Sequence, residues 1–397
     1  MTLALEKLTV LDLTQVMAGP YCCQLLADLG AQVTKVEPIG TGDASRHAMG
    51  FAMEGADNAS FLAVNRNKES VAVDLKQEGG RELFYRLARE ADIVVENFRP
   101  GVTTRLGVDY ATLRQLNPGL IYASISGFGQ TGPYASRAGY DLIAQAMSGV
   151  MSVTGEPDGA PVKCGIPIGD LGAGMFATIG ILSACLSRQE TGEGQHIDVS
   201  LYESALALSV WETTELWTTG RIPARYGSAH RLSAPYQALR TGDGRITVGV
   251  NNQRLWERFC GAIGREELST DLRFATNSDR MANTAELVAE LEATMQRATT
   301  EEWNETLLDA GVPCGPIRDY AEVFEDPHTQ AREMMVEMEH PVEGTVRGLG
   351  LPVKMSGTPG SVRRAAPLLG QDTDEVLGRY GYSAEEITKL RGKGVVD

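Results

Sequence analysis

The sequence predicts an α/β protein, a parallel sheet covered by helices, followed by a second unit. Three observations predict it. Over residues 8–150, apolar runs of strand length alternate with amphipathic stretches, the pattern of successive βαβ units. A polar turn, Arg188-Gln189-Glu190-Thr191-Gly192-Glu193-Gly194, then breaks the pattern. Beyond it the signals become a hairpin and several helices.

The runs at 8–13, 32–36, 70–75, 93–95 and 120–125 read as strands because they are short and rich in Val, Ile and Leu. Between them, 21–29 and 81–90 carry apolar side chains at helical spacing, Leu83, Phe84 and Leu87 in the second. A small-residue helix is expected to run from Asp170 to about 187, and a helix-rich stretch continues to about 220. In the second unit, Asp243-Gly244 is a hairpin signal before 246–250, and helices are expected at 252–263, 284–297 and 300–310. Ser383-x-x-Glu386 matches a capping box before a last short helix. No internal repeat or low-complexity tract interrupts the chain.

A chain of 397 residues is long enough for two to three domains at about 150 residues each. Its 43% hydrophobic and 22% charged residues are those of a globular protein rather than a disordered or disulfide-built one. The net charge of -16 repels a phosphate backbone, so nucleic acid is not expected as a partner. The longest apolar run, 172–187, falls short of the ~20 residues of a bilayer span, and no membrane partner is expected. The first strand begins by residue 8, which leaves no room for a leader and points to a soluble, cytoplasmic protein. The six cysteines, Cys22, Cys23, Cys164, Cys185, Cys260 and Cys314, show no C-x-x-C pair and read as reduced, mostly buried thiols.

Few residues invite chemistry. The turn after the first strand holds only Gly19 of a dinucleotide fingerprint, although Glu37 ends the next strand where a ribose-binding acid would sit. A G-x-G-x-x-G occurs at Gly127 to Gly132, but Pro133 follows and no helix starts soon after, so pyrophosphate lacks its helix N-terminus. His47, His196, His230, His328 and His340 are scattered and no metal site is expected; His196 reads as structural. Trp211, Trp217, Trp256 and Trp303 read as core.

The most informative stretch is Val162-Lys163-Cys164-Gly165-Ile166-Pro167-Ile168-Gly169-Asp170-Leu171-Gly172-Ala173-Gly174-Met175. Asp170 is expected at or near the N-cap of the helix. It is either only a cap, the commonest reason for Asp there, or a carboxylate nucleophile flanked by glycines that let a carbonyl approach.

At many ordered positions the chain resembles the class III CoA-transferases, the CaiB/BaiF family. The resemblance rests on Val10-Leu11-Asp12-Leu13-Thr14 with Ala18-Gly19-Pro20, Leu26-Ala27-Asp28-Leu29-Gly30-Ala31, Lys35-Val36-Glu37-Pro38 and Gly42-Asp43 with Arg46. Further matches are Asn65-Arg66-Asn67-Lys68, Val95-Glu96-Asn97-Phe98-Arg99-Pro100-Gly101, Ile125 to Pro133, Gly192-Glu193-Gly194-Gln195, Gly311 to Pro316 and Pro367-Leu368-Leu369-Gly370. The pattern, with Ala234 to Ala238 and Asn251-Asn252-Gln253, is most similar to members that move CoA from succinyl-CoA to glutarate or related acids.

The resemblance implies a Rossmann-like large domain, residues 1–224 with 331–397 returning to it, a smaller α+β domain at 225–330, and an interlocked homodimer. It implies a CoA thioester and a carboxylic acid, here a small dicarboxylate, as substrates, with no permanently bound cofactor. Asp170 matches the aspartate that becomes an aspartyl-CoA thioester. Val16, Leu75, Asn97, Phe98 and Arg105 match positions lining the CoA site, with Arg137 near a phosphate. Met17, Arg46, Tyr140, His230 and Arg231 are candidates for the substrate side; for the second carboxylate of the acceptor the candidates are Arg46, Arg137 and Arg231, because a guanidinium binds carboxylate bidentately. Family racemases carry histidine where this chain has Tyr140, which argues against the first alternative, an α-methylacyl-CoA racemase. A non-catalytic CoA- or nucleotide-binding module is the second.

Overall fold

The structure, a computed structural model, describes residues 2–55 and 57–397. Its chain divides into two compact units: residues 1–150, 163–211 and 327–397 form the first, residues 151–162 and 212–326 the second.

The first unit is built on six parallel strands: β1 (Thr9–Asp12), β2 (Gln32–Glu37), β3 (Lys68–Ala72), β4 (Ile93–Glu96), β5 (Ile121–Ser126) and β6 (His196–Ser200). They lie in the order β3-β2-β1-β4-β5-β6, the Rossmann arrangement, whose direction of winding reverses between β1 and β4. Side chains alternate between the two faces of a strand, so the sheet feeds two cores. Val10, Val33, Ile93, Val95, Ile121 and Ala123 pack on one face with the helices Ala18–Asp28 and Ile168–Thr191. Leu11, Val36, Val71, Val94 and Tyr122 pack on the other with Leu83, Phe84 and Leu87 of the helix Glu78–Glu90. Burial on both faces explains why these strands read as nearly continuous apolar runs. The C-terminal helices Thr373–Arg379 and Ala384–Gly392 join this second core through Val376, Leu377 and Ile387, and the Ser383/Glu386 capping box is formed.

Two lysines interrupt the apolar pattern. Lys68 and Lys35 are fully buried; Lys68 Nζ lies 2.9 Å from Asp12 Oδ2, and Lys35 Nζ 2.9 Å from Asp43 Oδ2. Burial alone would raise the Asp12 pKa, but the two ammonium groups and Thr14 hold it down at about 2. These charges sit under the turn that leaves β1.

In the second unit, β7 (Tyr236–Arg240) and β8 (Arg245–Gly249) form the expected hairpin around Asp243-Gly244, and β9 (Cys314–Pro316) joins β8. Helices Gln253–Ala262, Thr284–Met295 and Thr300–Asp309 enclose a core of Trp256, Phe259, Leu287, Leu291 and Leu307.

Several expectations are corrected. The helix expected from Asp170 spans Ile168–Thr191, with Pro167 at the N-cap and Asp170 inside the first turn. At 24 residues it has the length and apolarity of a bilayer span, beyond what the run 172–187 suggested, yet nine of its residues are buried against the sheet and its neighbours. Trp211 and Trp217 are 60% and 77% exposed, because no residue of their helix Val210–Thr219 is buried in the chain. An antiparallel hairpin of β10 (Met335–His340) and β11 (Gly344–Leu349), turning through Pro341 to Gly344 with Gly344 at φ +67°, was not among the expected elements.

Candidate active site

At the C-terminal ends of β1, β4 and β5 the first unit opens a cleft of about 330 Å³. This is the crevice that the reversal between β1 and β4 creates. The turn after β1 contributes Gln15, Val16, Met17 and Ala18; the turn after β4 contributes Asn97 to Pro100. Ser126 ends β5 and Gly127 follows it, and Arg137 to Tyr140 close one side. Gly127 and Gly139 let the last two segments cross: a Cβ on Gly127 would lie 2.5 Å from the Gly139 Cα. Gly127 of the Gly127 to Gly132 motif therefore serves a loop crossing, while Gly129 and Gly132 take positive φ in the loop, and no helix starts before Asp141.

Asp170 lines the same cleft. An early helix turn favours an anion, but burial and then the nearby Asp141 carboxylate push Asp170 from 3.8 up to about 7. Asp141 is held in place: its Oδ1 accepts from Gly169 N at 2.8 Å and its Oδ2 from Gln145 Nε2 at 2.7 Å. Gln145 Oε1 in turn accepts from Cys164 N at 2.8 Å, so the carboxylate and amide fix both ends of the segment leading to Asp170. The result is a basic, partly desolvated carboxylate at the wall of an apolar cleft, the property a carboxylate nucleophile needs.

Of the residues the sequence singled out, the structure gathers Asp170, Val16, Met17, Asn97, Phe98, Arg137 and Tyr140 in this one cleft. Arg137 stacks 3.8 Å from the ring centre of Tyr134, a cation–π contact. Leu75 lies past β3, packed on the helix-covered face with Val73 and Leu83. Arg105 is exposed on the short helix Val102–Leu106, its Nη1 near Gly101. Arg46 is not presented to a substrate. It is fully buried, with Nε and Nη2 donating to Glu37 at 2.8 and 2.7 Å, Nη1 donating to Asp57 at 2.7 Å, and its plane 3.6 Å from the Phe61 ring centre. Glu37 is thereby committed to Arg46 and Ser70 rather than to a ribose. His230 and Arg231 belong to the second unit, where Arg231 is ion-paired with Glu215 at 2.5 Å and Glu212 at 3.5 Å. Tyr140 is 67% exposed, and no histidine is among the described residues that line the cleft.

Residues that the sequence reading passed over also matter. Arg99 adds a second guanidinium to the lining. Glu96, at the end of β4, is buried; burial pushes its pKa up to about 7 against hydrogen bonds from Ser124 and the Phe98 N–H. Asp141 stood beside Tyr140 in the sequence without a signal of its own.

Comparison with known proteins converges on one group. The profile of CoA-transferase family III matches residues 5–373. The acetyl-CoA:oxalate CoA-transferase of Acetobacter aceti is 44% identical over 354 residues, covering 89% of both chains. The succinate–glutarate CoA-transferase of Agrobacterium fabrum is 41% identical over 385 residues, covering 94% of both. Among solved structures, a CaiB/BaiF family protein from Brucella suis superposes with a TM-score of 0.87 at 39% identity, covering 96% of this chain and 100% of that one. The chain belongs to CoA-transferase family III.

Proposed function

We propose that this CoA-transferase moves CoA from succinyl-CoA to a small dicarboxylate through an aspartyl-CoA thioester on Asp170. The observation that carries the reading is the position of Asp170, a carboxylate of raised pKa on the wall of the cleft at the β1/β4 crevice. Attack of the Asp170 carboxylate on the thioester carbonyl expels CoA thiolate and leaves a mixed anhydride. The thiolate then attacks the Asp170 carbonyl carbon, releasing succinate and forming the aspartyl thioester. The acceptor carboxylate attacks that carbonyl, expelling thiolate again, and the thiolate takes the acceptor acyl group and returns Asp170 as carboxylate. Each step keeps one activated acyl group, so no energy source is consumed. The apolar lining supports the reading because water would hydrolyse the anhydride.

The choice of a dicarboxylate is supported by the names of the relatives, which act on oxalate and glutarate, and by Arg99 and Arg137 in the lining. A guanidinium gives a second carboxylate a bidentate partner. The exposed helix Val210–Thr219 supports the further reading of a homodimer, and six free cysteines suit a reducing, cytoplasmic setting.

Asp170→Asn tests the mechanism. Asn keeps the size and shape of Asp and carries no charge to desolvate beside Asp141, so the fold should survive while transfer falls by roughly three orders of magnitude or more. Wild-type protein given acyl-CoA and hydroxylamine should carry a hydroxamate on the Asp170 peptide. Substantial transfer by the Asn variant without a trapped adduct would return Asp170 to a structural role, whereas no transfer by the wild type would favour the binding-module reading. A panel of acids incubated with succinyl-CoA, read by mass spectrometry of the CoA products, should show dicarboxylates outpacing monocarboxylates of equal length; equal rates would remove the dicarboxylate assignment.

A further inference from the structure

Every backbone polar group from Thr14 N to Val16 N is held by a side chain. Thr14 N donates to Asp12 Oδ1 at 2.8 Å, and Thr14 O accepts from Lys35 Nζ at 2.7 Å. Gln15 N donates to Asn97 Oδ1 at 2.8 Å, and Asn97 Nδ2 donates back to Gln15 O at 2.7 Å. Val16 N donates to Asp43 Oδ1 at 3.0 Å, while the other oxygen of Asp43 pairs with buried Lys35. These contacts surround a residue in an unfavourable shape: Val16 has φ of +72°, a left-handed conformation that β-branched side chains resist. Such strain persists only where the surroundings over-determine it, and it concentrates at functional sites.

The clamp also changes what Asn97 is for. The carbonyl and amino groups of its side chain are both committed to Gln15, so its work is done on the protein's own backbone. Asp43 is not among the described residues that line the cleft, and it reaches that lining through the N–H of Val16.

We propose that Asp43, with its counter-ion Lys35, and Asn97 are positioning residues for CoA transfer: they preset the strained Gln15–Val16 turn as a wall of the cleft opposite the substrate. The proposal rests on the reading that this cleft receives the acyl-CoA. Released from the clamp, Val16 relaxes to negative φ, the wall moves, and acyl-CoA binding must restore it.

The test uses the full-length protein, with succinyl-CoA and the fastest acid of the panel. Asn97→Ala should raise the KM for succinyl-CoA by about tenfold or more, with a smaller change in kcat. Adding Val16→Gly should recover a large part of that loss, because glycine takes positive φ freely, and should raise the melting midpoint of the Asn97→Ala protein. The same rescue is expected in Asp43→Ala, which removes both the acceptor for Val16 N and the charge facing Lys35. If Val16→Gly leaves both variants unimproved or worsens them, the clamp is not a positioning device and Asn97 acts on substrate directly. If a single variant is too unstable to assay, the melting midpoints decide: a lower midpoint on adding Val16→Gly overturns the proposal. Failure of the chemistry is read separately. A wild-type protein that forms no Asp170 adduct loses the nucleophile assignment, while the paired KM values still decide the clamp.

Discussion

Asp170 sits where two influences oppose each other. The first turn of a helix favours its anion by roughly 0.3–1 kcal/mol, but burial and the Asp141 charge prevail and lift it to about 7. The elevated value makes a carboxylate more basic, and relief of the Asp141 repulsion when Asp170 becomes a neutral anhydride or thioester favours acylation. The sign for stability follows from linkage. Below the ordinary value of 3.8 both folded and unfolded chains hold the proton, and the group has no effect. As pH rises, the unfolded chain releases it first, so folding loses free energy until pH passes about 7. Wild type should therefore lose stability relative to Asp170→Asn between about pH 4 and 7, measured as the difference in their melting midpoints across pH; a constant or opposite difference would show the raised value to be wrong. Transfer, which needs the anion, should rise through the same range. Glu96 titrates there too, and Glu96→Gln separates the two by removing its share while leaving the Asp170 limb.

The helix Ile168–Thr191 reaches Asp170 into the cleft by lying close against the helix Ala18–Asp28, and glycine permits the approach. A Cβ on Gly174 would lie 2.8 Å from the backbone oxygen of Ala18 and 3.0 Å from Tyr21 Cδ1. A backbone carbonyl cannot rotate aside, so Gly174→Ala should cost about 1–3 kcal/mol, exceeding the gain of up to about 1 kcal/mol from better helix propensity. At Gly172 the nearest atom is a Leu208 methyl carbon at 3.5 Å, and Gly172→Ala should be neutral or stabilising. Urea midpoints of the two variants should move in opposite senses; a shared direction would mean that helix packing does not govern this site. Both glycines stand in the same small-residue run, and only tertiary contact tells them apart. That distinction marks what was legible beforehand. The parallel strands and the helices over them were readable because burial on each face leaves a local apolar period. Asp170 was readable through its glycine-rich setting and its family resemblance. Lys35, Lys68, Asp43 and Asp141 were not, because their partners come from distant positions and a lone charge in a strand or at a helix start looks solvated. Arg46 and Arg231 misled for the same reason: the carboxylates that occupy them lie elsewhere in the chain.

Taken as a whole chain, the protein combines a strong negative charge, -16, with a stretch of exposed apolar surface. Leu206 and Leu208 at one end and Leu216 and Ile222 at the other flank the exposed tryptophans of the helix Val210–Thr219. Met175, Phe176, Ile179 and Leu186 add an exposed apolar side to the helix that carries Asp170. Scattered apolar residues on a surface are ordinary, but a helix with no buried residue has little reason to stay folded alone in water. The homodimer proposed above would supply the missing cover without a charge-matched partner, since apolar contact tolerates like net charge. If these segments form their shape only against the partner, separation of the chains exposes the helices and removes the support of Asp170 at once. Sedimentation in buffer should then give twice the mass of one chain, and loss of the dimer across a urea titration should coincide with loss of far-ultraviolet circular dichroism, both midpoints shifting upward with protein concentration. A folded monomer in buffer or at intermediate urea, with its helical signal intact, would show that the helix is stable uncovered and that this surface serves no second copy.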